Sequence, residues 1–179
     1  NAMLSLYSYD KNSLTYISEK LWDNMLFIAP VIQFDGNNLS KVSERLRNDK
    51  NTVISAVLNN PTSLQYASEN LKNNFEVVQL AVSKEASSNT LEYASSELRE
   101  NKELIEFALS ISNHNIKHIS LKLYNDKEYV LNYMKKIPDI FEHLNEEMRS
   151  DMDFIKLAMK RDYKHYSFIP INKKEEIEV

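Results

Sequence analysis

Leu64-Gln65-Tyr66-Ala67-Ser68-Glu69-Asn70-Leu71-Lys72-Asn73-Asn74-Phe75-Glu76-Val77-Val78-Gln79-Leu80-Ala81-Val82 reads as two short helices joined by a capped turn. With Leu64 as position 0, Leu64, Ala67, Ser68 and Leu71 fall at 0, 3, 4 and 7, one face of a 3.6-residue helix. Val77, Val78, Ala81 and Val82 fall at 13, 14, 17 and 18 and make one face of a second helix. Asn74, at position 10, can accept the backbone N–H groups left unpaired where that helix starts. Glu76 follows in the first turn, where the positive end of the helix dipole favours an acid. Ser63 reads as the matching cap of the first helix. Each helix has only about ten residues, too few to be stable alone in water. The unit must therefore stack on neighbours.

The chain supplies those neighbours. Position 0 recurs at Leu14, Leu39, Leu64, Leu91, Ile116 and Phe141, in steps of 25, 25, 27, 25 and 25 residues. Position 7 is Leu21, Leu46, Leu71, Leu98, Leu123 and Met148. Position 14 is Ile28, Val53, Val78, Ile105, Val130 and Ile155. Position 10 is Asn24, Asp49, Asn74, Asn101, Asp126 and Asp151, two residue types suited to one mechanical role. The expectation is an all-α fold: about six 25-residue units, each a pair of short antiparallel helices, stacked as an α-solenoid-like superhelix. One helical-repeat domain over residues 3–179 is expected, with Asn1-Ala2 ahead of Met3 reading as the remnant of an expression tag. Pro30 is expected to break or kink the second helix of the first repeat. Tyr166 and Ile169 begin the trace of a seventh repeat, and residues 173–179 read as a frayed end or polar cap.

Composition narrows the function classes. The 22 Lys and Arg against 26 Asp and Glu leave a net charge of −4, which argues against a broad nucleic-acid footprint. No cysteine means no disulfide and no thiolate ligand or nucleophile. A single glycine removes Gly-rich phosphate loops and oxyanion turns. No apolar run approaches the roughly 20 residues that span a bilayer. The expectation is a protein that is not an enzyme, needs no cofactor or metal, contacts no membrane and resides inside the cell, in the cytoplasm.

Leu46-Arg47-Asn48-Asp49-Lys50-Asn51-Thr52-Val53-Ile54-Ser55-Ala56-Val57 and Leu64-Gln65-Tyr66-Ala67-Ser68-Glu69-Asn70-Leu71-Lys72-Asn73 resemble a tandem-repeat family of uncharacterised domains. That family repeats a phrase close to Leu, two residues, Ala-Ser, two residues, Leu-Arg/Lys-Asn-Asp-Lys-Glu-Val-Val. Its repeats of about fifty residues would equal two of the present units. The resemblance covers residues 38–135 and implies helical repeats; it brings no activity, cofactor or catalytic residue.

The repeat's own ladders supply the site candidates. Position 2 holds Tyr16, Lys41, Tyr66, Tyr93, His118 and His143, about 200° around a helix from position 0. Aromatic groups with polar tips, one per repeat, suit a groove for a peptide. Tyr66, Tyr93, His118 and His143 are the candidate partner-binding residues, for a protein or peptide. The competing and weightier reading has each ring covering the adjoining repeat, because arrays bury both sides of most helices. Position 8 holds Trp22, Arg47, Lys72, Arg99, Tyr124 and Arg149. Arg47, Lys72, Arg99 and Arg149 could make one phosphate contact per repeat, the alternative of modular RNA binding. Glu44, Glu69 and Glu146 lie three residues before three of those cations, so ordinary i,i+3 pairing is the stronger expectation. The position-4 ladder, Ser18, Ser43, Ser68, Ser95, Ser120 and Asn145, lacks a base for nucleophilic work and reads as local hydrogen bonding. His114, His118, His143 and Asp139 form the one metal-like cluster, but repeats about 10 Å apart would keep His118 from His143.

Overall fold

The structure, a computed structural model, describes residues 18–84 and 89–177. Leu14 and Tyr16 therefore lie outside the described residues. The chain divides into two compact units, residues 1–98 and 99–179. Among the described residues there is no strand. The N-terminal unit carries α1 (Glu19–Trp22), α2 (Met25–Phe34), α3 (Glu44–Arg47), α4 (Lys50–Asn59), α5 (Glu69–Lys72) and α6 (Phe75–Ser83), with 3-10 turns at Gly36–Ser40, Pro61–Tyr66 and Thr90–Tyr93. A further 3-10 turn spans Leu98–Glu100. The C-terminal unit carries α7 (Lys102–Ile111), α8 (Leu121–Tyr124), α9 (Lys127–Lys136), α10 (Glu146–Arg149), α11 (Met152–Arg161) and α12 (Ile171–Ile177). Its 3-10 turns are Asn113–His118, Pro138–His143 and Tyr163–Phe168. In each unit the longer helices pack side by side and the 3-10 turns stack in a second layer. The protein is an all-α array of short repeats.

The inner caps form as the sequence dictates. Asn24, Asp49, Asn74, Asn101, Asp126 and Asp151 each accept a backbone N–H in the first turn of the longer helix that follows. Asp126 takes the Tyr129 N–H at 3.0 Å. Asp126→Ala should cost about 1 kcal/mol through loss of that cap, read as a lower denaturation midpoint. An unchanged midpoint would contradict the capping role. The described residues at positions 0 and 14 are buried throughout, and so are those at position 7 apart from the half-exposed Leu21.

The first helix of the repeat is not continuous. Its positions 0 to 3 close a 3-10 turn, positions 3 and 4 are extended, and a one-turn α-helix begins at position 5; in the third repeat Ala67 and Ser68 have ψ near 159° and 155°. Spacing 0, 3, 4 and 7 is met equally by a 3-10 turn followed by an α-turn, so it cannot distinguish the two. The break has a cause. The Ser68 N–H leaves its own turn to donate to the Arg47 carbonyl of the preceding repeat at 2.9 Å. Its hydroxyl accepts the Leu71 N–H at 3.3 Å and donates to Asn48 Oδ1 at 2.7 Å. The same tether joins Ser43 to Trp22, Ser95 to Lys72 and Ser120 to Arg99, at 3.3, 3.0 and 2.8 Å. From Ser43 to Ser120 the serine ladder is thus a row of N-caps that also fasten each repeat to the one before it; Ser18 makes no side-chain cap bond.

At the last two junctions the sequence changes and the tether changes with it. The Asn145 N–H donates to the Tyr124 hydroxyl at 2.7 Å instead of to a carbonyl. One step later position 4 is Pro170, which has no N–H to give. There Arg149 Nη1 donates to the Phe168 carbonyl at 3.1 Å, so a side chain replaces the missing backbone bond. Tyr166 and the buried Ile169 do open a partial seventh repeat. Of residues 173–179, expected as a frayed end or polar cap, 173–177 lie in α12, with Lys173 paired to Glu176 at 2.7 Å.

Two further expectations are corrected. Ser63 caps nothing: it is buried within the 3-10 turn, and Asn60 is the cap, accepting the Thr62 N–H at 3.1 Å. Pro30 does not end α2, which runs on to Phe34. The carbonyl its missing N–H frees is that of Leu26, a residue 91% exposed, where water can take the bond.

Position −1 carries a ladder the periodicity reading passed over. Asn38, Ser63, Thr90, Asn115, Ile140 and His165 are all buried. Asn38 Nδ2 donates to the Val31 carbonyl at 3.3 Å and Asn115 Nδ2 to the Ala108 carbonyl at 2.8 Å. His165 Nδ1 reaches the equivalent Ala158 carbonyl at 3.2 Å. These three side chains each satisfy a carbonyl near the end of the preceding long helix, which would otherwise be buried with part of its hydrogen-bonding capacity unmet.

Candidate functional site

The position-2 residues close the 3-10 turns, so their direction is set by the break at positions 3 and 4 rather than by a continuous helix. Lys41 is exposed; Tyr66, Tyr93, His118 and His143 are half-buried. Tyr66 and Tyr93 belong to the N-terminal unit, His118 and His143 to the C-terminal one. Of the four, Tyr66 lines a groove of about 440 Å³, together with Arg47, Lys72, Gln65, Glu44 and Glu69. Positions 2 and 8 therefore meet there, Tyr66 lying beside the position-8 residues of its own and the preceding repeat.

The expected i,i+3 pairing of the position-8 cations holds at one place only. Lys72 Nζ lies 2.8 Å from Glu69 Oε1. Glu44 makes no ion pair with Arg47, and Arg149 binds the Phe168 carbonyl instead of Glu146. Exposed glutamates gain little from such a pair, so nothing compels it. Arg47, Arg99 and Arg149 share one feature: the Nε of each is shut off from solvent with no hydrogen-bond partner. Among the described residues, Arg47 and Arg99 have no side-chain partner at all.

The polar groups around the groove divide by what they already bond. Gln65 Nε2 donates to the Thr62 carbonyl at 3.1 Å, Ser68 to Asn48, and Lys72 to Glu69. The Arg47 guanidinium and the Tyr66 hydroxyl have no such bond. Among the described residues, they are the two side chains with donors in the groove that bond to nothing.

The histidines occupy a different setting. His114, not His118, packs on His143, with ring centroids 4.7 Å apart and edge to face. The Asn113–His118 segment is a 3-10 turn that stacks on Pro138–His143, which brings position −2 of one repeat against position 2 of the next. No group of three or more His, Cys, Asp or Glu among the described residues could hold a metal ion. Burial holds the His143 imidazole below its ordinary pKa, aided by the charges of His114 and Lys117 and opposed by Glu142 and Asp139. The neutral ring is thus favoured in the fold. It contributes stability above the unfolded value near 6.5 that is lost as pH falls through the lower folded value. The C-terminal unit should lose stability as pH falls below the unfolded value near 6.5, and His143→Asn should flatten that part of the profile. An equally steep fall in the variant would contradict it.

A second polar groove, of about 400 Å³, lies between α7 and α9. Its two cations are already engaged. Lys136 stands 3.5 Å from Glu106, and Lys102 Nζ sits 5.6 Å above the Tyr129 ring. Burial pushes the Tyr133 phenol on its wall up to about 12, keeping it neutral. No helix among the described residues is long and apolar enough to cross a membrane.

A protein-family model with the description Domain of unknown function (DUF4116) matches residues 24–68, 49–99 and 126–173. Each match begins at an inner cap, Asn24, Asp49 or Asp126, and runs across more than one repeat. No curated protein and no solved structure matches the chain.

Proposed function

Since the chain belongs to the DUF4116 family of domains of unknown function, we propose that this member is a non-enzymatic scaffold, a solenoid-like array that binds a protein partner as an extended peptide. The observation that carries the reading is the groove in which Tyr66 and Arg47, from consecutive repeats, have donors committed to nothing else. A ring with a polar tip beside a guanidinium supplies apolar area and directed donors, the two contributions peptide recognition draws on most. His143 is better used as packing against His114. Tyr93 and His118 remain candidates as the position-2 residues of neighbouring repeats.

The unpaired guanidinium groups of Arg47 and Arg99 also favour the second reading, RNA bound through the position-8 ladder. Three features weigh against it. Lys72 is paired, Arg149 is occupied by Phe168, and the net charge is −4.

The test is selection of a displayed random peptide library on the folded protein, followed by amide chemical-shift mapping. Selected peptides should perturb the amides around Arg47 and Tyr66, and Tyr66→Ser should weaken binding about tenfold with an unchanged melting curve. Perturbations confined to other surfaces, or loss of the fold in Tyr66→Ser, would overturn the assignment.

A further inference from the structure

We infer that the groove selects for a carboxylate, and that Arg47 is the residue that reads it, so the partner segment carries an Asp or Glu at the point where it crosses between the second and third repeats. This rests on the peptide-binding reading above.

The chemistry begins with an unmet group. A guanidinium is always charged and carries five N–H donors. Arg47 is half-buried: its Nε is shut off from solvent without a partner, and its Nη groups, the part an occupant can reach, bond to nothing among the described residues. Leaving a charged donor unanswered costs more than leaving a neutral one. Arg149, the same position two pairs of repeats along the sequence, shows how the repeat meets that need when it can, by turning Nη1 onto the Phe168 carbonyl. Arg47 has no equivalent, because its neighbouring repeat keeps the backbone tether that Pro170 forbids; Ser68 donates its N–H to the Arg47 carbonyl at 2.9 Å. An occupant of the groove therefore meets a guanidinium that no described residue has claimed.

The surrounding charges choose among acceptors. Glu69 is taken by Lys72, so that pair is neutral overall, and Glu69 is also 85% exposed at its side chain. Glu44 lines the same groove without a cation of its own. A chain of phosphates would run past both glutamates and be repelled, whereas a single carboxylate can pair with Arg47 in the planar two-pronged geometry that carboxylates and guanidinium groups share. The Tyr66 hydroxyl stands beside it as a further donor without a partner.

The experiment uses the full chain and three probes: acetylated, amidated heptapeptide pools with a fixed central Glu, the same pools with central Gln, and polyuridylate. The Glu pool should bind about tenfold more tightly than the Gln pool. Arg47→Gln should erase that difference while leaving the melting curve and the residual Tyr66 shifts in place, and Arg47→Lys should restore part of it. Equal binding of the Glu and Gln pools at the groove overturns the carboxylate inference and leaves the peptide-binding reading standing. Binding of neither pool overturns both. Tighter binding of polyuridylate, lost steeply with salt, overturns both in favour of the RNA reading.

Discussion

Gly36→Ala should destabilise the N-terminal unit by roughly 3 kcal/mol, among the largest effects of any single methyl added to this chain. The chain's one glycine is not there for its backbone freedom, since no residue described has a positive φ. It is there for space. A Cβ on Gly36 would stand 2.3 Å from the Ala56 carbonyl oxygen and 2.8 Å from Ser63 Oγ. The hydroxyl is a movable obstacle; the carbonyl is not, because it lies in α4 and accepts the Asn60 N–H at 2.8 Å. Gly36 is also clamped from its other side, its N–H donating to Asn59 Oδ1 at 2.7 Å while Asn59 Nδ2 donates to the Gln33 carbonyl at 2.8 Å. Insertion of a methyl must therefore move backbone and break that clamp. A urea titration followed by circular dichroism reads the effect. Gly36→Ala combined with Ser63→Ala should remain destabilised, since the backbone contact persists. Recovery in the double variant would show that the hydroxyl alone is the obstacle and contradict this account.

His165→Ala should cost the C-terminal unit a similar amount, about 3 kcal/mol, and His165→Asn much less. His165 is 1% exposed and its ring reaches three acceptors: the Ala158 and Asp162 carbonyls from Nδ1, at 3.2 and 3.1 Å, and Asp139 Oδ1 from Nε2 at 3.2 Å. Alanine would remove these polar contacts and leave a void beside the Phe141 ring, whose centroid lies 6.1 Å away. Asparagine is what the repeat itself uses at this position, where Asn38 and Asn115 hold the equivalent carbonyls. It should keep the bond to Ala158 and lose only the reach to Asp139. If both variants lose the same stability, the ring's volume matters and its hydrogen bonds do not.

These two positions also show what was legible in the sequence and what was not. Position 10 could be read because capping is local: an Asx side chain and an N–H two or three residues on settle it, and all six sites agree. The break at positions 3 and 4 was hidden because the Ala-Ser pair fits a helical face by spacing while the serine's real work is done across a repeat junction. Pro30 misled for a related reason, since the cost of a helical proline depends on whether the freed carbonyl can reach water, and that of Leu26 can. His165 was obscured by the decay of the pattern after Lys160, although Asn38, Ser63, Thr90 and Asn115 mark position −1 as small and polar in the earlier repeats.

The candidate site was legible only in part. Tyr66 stands out as one rung of a ladder, but a ladder does not say which rungs share a groove. In the sequence Glu44, three residues before Arg47, favours a local pair. The decisive fact, that the two do not pair, depends on side-chain direction on a one-turn helix, which spacing does not fix. His118 and His143 were matched by position number, yet the 3-10 turns bring His114 to His143 instead.

The most direct measurement is the Arg47 Nε–H resonance in a ¹H–¹⁵N spectrum of the full chain, assigned by its loss in Arg47→Lys and followed as the Glu-centred peptide pool is added. The account predicts that this proton, buried on the guanidinium whose Nη groups meet the carboxylate, shifts as the carboxylate pairs with those groups, and that the Gln-centred pool leaves it in place. An Arg47 Nε–H that stays fixed while peptide binds elsewhere, or that moves equally with both pools, would contradict the claim that this groove recognises an acidic partner.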